Sequence, residues 1–85
     1  MKILRLQAVK EKQGHASGTS VYNEQRDGLL TTAVAIGKRA RGWPDYEIDA
    51  ILSARIAGKS DDQIRELVKL LHAKRAELVI LQGAA

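Results

Sequence analysis

Cysteine and phenylalanine are absent from this chain, and proline and tryptophan occur once each. Without cysteine there can be no disulfide, no thiolate zinc ligand and no thiol nucleophile. Tyr22, Trp43 and Tyr46 are the whole aromatic complement, too few to stack the bases of a single strand. No stretch reaches the ~20 apolar residues that span a bilayer. Arg5 also interrupts the apolar run that a signal peptide would need. These absences predict a soluble, intracellular protein.

Catalytic and metal-binding patterns are missing too. His15 and His72 stand far apart, neither at metal-ligand spacing to a second histidine, and both are expected at the surface. Ser17 and Ser20 have no positioned base, and the glycines form neither a P-loop nor a dinucleotide fingerprint. Asp45, Glu47 and Asp49 are read as complementing a helix dipole rather than as acids, bases or ligands. No enzyme, cofactor or metal is expected.

What is present is a folded composition with uneven charge. Eighty-five residues, 45% hydrophobic and 28% charged, make one domain with a small core. The net charge of +4 is divided unequally along the chain. Residues 1–43 hold eight Lys/Arg against three acids, whereas residues 44–85 hold six against seven. All the excess positive charge therefore belongs to the first half, as an anionic partner on one face requires.

Periodicity and punctuation predict four helices and a hairpin. Leu4, Leu6 and Val9 mark a first helix over roughly 5–13, ended by Gly14. Ser17 is a good N-cap for a second helix, about 18–27, which Gly28 closes. That helix carries almost no apolar residue besides Val21, so its outer face is open to a partner. Leu30 to Ile36 reads as a strand, Gly37-Lys38-Arg39-Ala40 as a turn and Arg41-Gly42-Trp43 as the returning strand. Trp43 is expected in the core, between hairpin and helices. Pro44 suits a first helical turn, and Ile48, Ile51, Leu52 and Ile56 share one face of the third helix. Ser60 and Gln63 form a capping box before a last helix reaching about Leu81. This last helix either folds back over the third or pairs with a second copy through Ile64, Leu67, Leu71 and Leu78.

Two groups of residues suit nucleic acid. On the 18–27 helix, capped by Ser17, the short polar side chains of Thr19, Ser20, Tyr22 and Asn23 can reach base edges. Arg26 can take a guanine or a phosphate. Lys38, Arg39 and Arg41 at the hairpin tip can straddle a phosphate or enter a minor groove. A charged turn that merely protects an edge strand is the competing explanation of these bases.

The chain also carries a specific pattern. Ser17-Gly18-Thr19-Ser20-Val21-Tyr22 is followed by Gly28. Val34-x-Ile36-Gly37-Lys38-Arg39-Ala40-x-Gly42-Trp43-Pro44 and Glu47-Ile48-Asp49-Ala50 come after it. Together, over roughly residues 4–57, these resemble the prophage regulatory proteins of the AlpA type, small DNA-binding relatives of phage excisionases. Ser17 to Leu30 is similar to the second helix of MerR-like regulators, which also ends in Gly-Leu-Leu.

The resemblance implies a mainly α fold with a small β-hairpin: a winged helix-turn-helix over 1–57 and a C-terminal helix pair completed by 58–85. It implies a cytoplasmic protein of a bacterial cell that binds double-stranded DNA. Such a protein regulates phage genes, or bends attachment-site DNA for an integrase partner. The alternative is a protein-binding adaptor acting through the C-terminal helices. Two departures from the family pattern stand out. Thr31 and Ala33 replace prolines on either side of the residue before the first wing strand, and Asn23 replaces a base, exchanging a phosphate contact for a side chain that can pair with adenine.

Overall fold

The computed structural model of the chain describes residues 2–15 and 17–83, with side chains through residue 77. β1 (Ile3–Leu4) leads into α1 (Leu6–Gln13) and α2 (Gly18–Arg26). β2 (Val34–Ala35) and β3 (Arg41–Pro44) follow, then α3 (Asp45–Ile56) and α4 (Asp61–Gly83). The chain is therefore mainly helical with a small antiparallel sheet.

Local signals set most of these boundaries. Gly28 takes φ +78°, a conformation that a side chain resists, and Leu29 N–H then reaches back to the Glu24 carbonyl at 2.8 Å. Gly14 and Gly58 close α1 and α3 in the same way: His15 N–H donates to the Lys10 carbonyl and Lys59 N–H to the Ala54 carbonyl, both at 3.0 Å. At the start of α4 the capping box forms in both directions. Gln63 N–H donates to the Ser60 hydroxyl at 3.2 Å, and Ser60 N–H donates to Gln63 Oε1 at 2.9 Å. Ser17 occupies the expected cap position of α2, but its hydroxyl makes no capping bond.

The sheet departs from the expected hairpin. It has three strands in the order β1-β3-β2, with Leu4 opposite Trp43, Ile3 opposite Pro44 and Val34 opposite Gly42. β1 is too short to show a period, so only its partner reveals it. Its close passage explains Gly42: a Cβ there would collide with the Ile3 side chain and stand 2.8 Å from the Leu4 carbonyl oxygen. Pro44 belongs to this sheet rather than to a helical turn. Its ψ of 134° is extended, and helix α3 begins at Asp45, whose N–H donates to the Lys2 carbonyl at 2.7 Å.

Val9, Val21, Leu30, Trp43, Ile48, Ile51, Ile64, Val68 and Leu71 form the core, so every helix contributes to it. Trp43 fills the space between sheet and helices, as expected. Its indole N–H donates to the Thr31 carbonyl at 2.7 Å, so burial leaves the ring's polar edge satisfied. α4 folds back over α3 and supplies Ile64, Val68 and Leu71, with Leu67 half-buried beside them. Ile64 and Leu71, two of the expected pairing residues, are thus used within the chain's own core. Leu78, the fourth, lies outside the residues whose side chains are described. Ile56 is 87% exposed, contrary to the expected apolar face, because α3 outruns the core it packs on. Among the described residues no helix is long and apolar enough to cross a membrane.

Candidate nucleic-acid interface

Helix α2 presents two unlike sides. Val21 is buried, and Gln25 on the same side accepts a hydrogen bond from Ala33 N–H at 3.0 Å. Opposite them Thr19, Tyr22, Asn23 and Arg26, spaced i, i+3, i+4 and i+7, form one exposed arc. Ser17 is exposed at the start of the helix; Ser20 is half-buried and lies off the arc. Arg26 approaches the Asp27 carboxylate at 3.3 Å, but both are exposed, and such a pair holds its partners weakly. Glu24, on the flank of α2, already pairs with Arg55 at 2.9 Å and hydrogen-bonds His15 at 2.6 Å.

The hairpin brings a different chemistry beside this arc. Ile36 N–H donates to the Ala40 carbonyl at 2.9 Å, which leaves Gly37, Lys38 and Arg39 as the tip. Lys38, Arg39 and Arg41 are exposed, and among the described residues none makes a side-chain hydrogen bond or ion pair. The contrast with the second half is plain. There Arg55, Arg65 and Arg75 are each bound to an acid.

An open cleft of about 310 Å³ joins the two groups, lined by Tyr22 of α2 and by Lys38, Arg39 and Arg41. Arg5, the residue before α1, also lines it. No acid lines it. Of the expected site residues, Tyr22 and the three hairpin bases therefore meet in one place. Thr19, Asn23 and Arg26 continue from Tyr22 along the helix. Ser17 and Ser20 do not line the cleft. In the sequence Arg5 stands out as a break in the N-terminal apolar run and as one of the excess bases, not as a site residue; its position depends on β1 pairing with β3.

The segment leading into β2 is held by side chains rather than by a ladder, which is why the expected strand shrinks to two residues. Thr31 accepts from Trp43 and Ala33 donates to Gln25, as described. Thr32 N–H donates to His72 Nε2 at 3.0 Å, and Arg75 donates to the Thr32 carbonyl at 2.8 Å. A proline at position 33 would lack the N–H that Gln25 binds.

Two sequence expectations are corrected here. His72 is half-buried and bonded, not a free surface residue; burial first, then the neighbouring Arg75, holds it below its ordinary pKa. Likewise His15 is bound to Glu24. Glu47 lies in the first turn of α3, as the dipole reading expects, but it is also fully buried and takes two bonds from Arg75, a role that reading did not include.

Little else suggests a site. A smaller cleft of about 180 Å³ contains Gln13, His15, Glu24 and Arg55, but its acid is already shared between two donors. Among the described residues no cluster of histidines and acids could hold a metal ion. In comparisons with known proteins, no protein-family model, no curated protein and no solved structure matches the chain.

Proposed function

We propose that this chain binds double-stranded DNA sequence-specifically, as a winged helix-turn-helix. α1 and α2 are the helical pair, α2 lies in the major groove, and the β2–β3 hairpin is the wing. One observation supports this above the others: unpaired bases of the hairpin tip and the exposed polar arc of α2 meet at Tyr22. Polar side chains on a helix can read base edges, while a flanking cluster of bases fixes the backbone. The protein acts by occupancy, as a regulator of phage or prophage genes or as an excision factor beside an integrase.

Selection of duplexes from a random pool, followed by mobility shift, tests the reading. If about five bases neutralise phosphates, log affinity falls against log salt with a slope of roughly −4 to −5. A flat dependence rejects it. A second reading, a protein-binding adaptor, draws on the exposure of Ile56 and Leu70 on α3 and α4, at 87% and 64%. It predicts that replacing Lys38, Arg39 and Arg41 together by alanine leaves activity intact.

A further inference from the structure

We infer that Arg5 seats a backbone phosphate of the bound duplex, beside the phosphates that the hairpin bases hold. The inference rests on the DNA-binding reading and extends it to a residue outside α2 and the hairpin. Arg5 precedes α1, and its side chain makes no hydrogen bond or ion pair among the described residues. Pairing of β1 with β3 brings it to the cleft that Lys38, Arg39 and Arg41 also line.

Four cations around one cleft repel one another, and no acid of the lining compensates them. Elsewhere in the chain, bases such as Arg55 and Arg75 lie against carboxylates. An external anion supplies here what those carboxylates supply there. The cleft is open, which suits a strand passing along it better than an enclosed small molecule. Arginine adds a planar fork that can bind phosphate oxygens in pairs. Tyr22 lines the same cleft and belongs to the exposed arc of α2, so the seated phosphate lies on a strand bordering the groove that α2 enters.

The test compares wild type with Arg5→Gln, Arg5→Lys and Lys59→Gln on a selected duplex over a range of salt. Lys59 is exposed, unpaired among the described residues and absent from the cleft, so its variant is the control. Arg5→Gln is expected to melt like wild type, to weaken binding to specific and random duplexes by the same factor, and to flatten the salt slope by about one. Arg5→Lys restores the slope, and Lys59→Gln leaves it unchanged. In a scan of duplexes with single neutral methylphosphonates, one position that weakens wild-type binding no longer weakens Arg5→Gln. An unchanged slope for Arg5→Gln, or equal penalties at every methylphosphonate in both proteins, overturns the inference while leaving DNA binding in place. Failure of the wild type to bind any duplex overturns the DNA-binding reading itself. Titration with inorganic phosphate then decides the anion site: saturable shifts of the Arg5 and Arg39 amides retain it, and unmoved amides reject it.

Discussion

Arg75 holds the Glu47 carboxylate with two bonds of 2.8 and 2.6 Å, and that carboxylate is wholly buried. The same guanidinium donates to the Thr32 carbonyl at 2.8 Å. One side chain of α4 therefore fastens α3 and the segment leading into the hairpin. The buried acid is tolerated because a cation and two hydrogen bonds replace the water it lost.

Removing the cation should be costly. Arg75→Met leaves the Glu47 carboxylate buried without its partner, and urea unfolding should show a loss of about 3 kcal/mol. Replacing both residues, as in Glu47→Gln with Arg75→Met, should recover part of that loss. Amide exchange at Thr32 and Ala33 should quicken in Arg75→Met. A loss well under 1 kcal/mol would show that the pair contributes little.

His72 gives the fold a pH dependence of definite sign. Its Nε2 accepts from Thr32 N–H, so the unprotonated ring is the form that fits. Burial disfavours the charged ring, Arg75 beside it opposes a second positive charge, and Glu47 only partly offsets these. The folded pKa lies below the ordinary 6.5, so between the two values the unfolded chain binds more protons. Stability should fall as pH drops through that window. His72→Gln keeps an acceptor without the titration, and its melting temperature should vary less with pH there. Asp45 acts at lower pH: a hydrogen bond from the Lys2 backbone holds its carboxyl below 3.8, and its contribution disappears on acidification through the folded value.

How much of this was legible in the sequence depended on distance along the chain. The Ser60–Gln63 box, the Gly28 stop and the helical arc from Thr19 to Arg26 rest on neighbours, and periodicity or spacing exposes them. Trp43 could be assigned to the core because it joins a strand to a helix. By contrast, Glu47 and Arg75 are separated by 28 positions and Thr32 and His72 by 40, and no local pattern announces either pair. Arg5 is legible in the sequence as a base of the first half, but its place beside the hairpin depends on the pairing of Leu4 with Trp43, 39 positions away. Ile56 shows the opposite failure: its spacing is helical and apolar, but no second element extends far enough to cover it.

Gly42 should tolerate no side chain. The Leu4 carbonyl is backbone and part of the sheet, so a methyl group cannot be accommodated by rotating a side chain away. Gly42→Ala should cost roughly 1–3 kcal/mol, the range for overpacking a close contact. Thermal melting measures it. On the DNA-binding proposal, any effect on affinity should follow from displacement of β1, and hence of Arg5, rather than from a contact that Gly42 makes. If Gly42→Ala melts like wild type, β1 does not hold this position in solution.

On the DNA-binding proposal, Asn23 and Arg39 should fail differently when truncated, because one lies on the α2 arc and the other at the hairpin tip. Arg39, at the hairpin tip, has no partner among the described residues and suits a phosphate. Arg39→Ala should therefore weaken specific and random duplexes alike and lower the salt slope by about one. Asn23 carries no charge, and on the exposed arc of α2 its amide can both donate to and accept from an adenine edge. Asn23→Ala should leave the salt slope unchanged, and sequencing of selected duplexes should show relaxed preference at one position, with a loss there of about 1–3 kcal/mol. Equal losses on specific and random DNA would remove Asn23 from base reading. They would make the α2 arc, like the hairpin, a surface that grips the backbone without selecting a sequence.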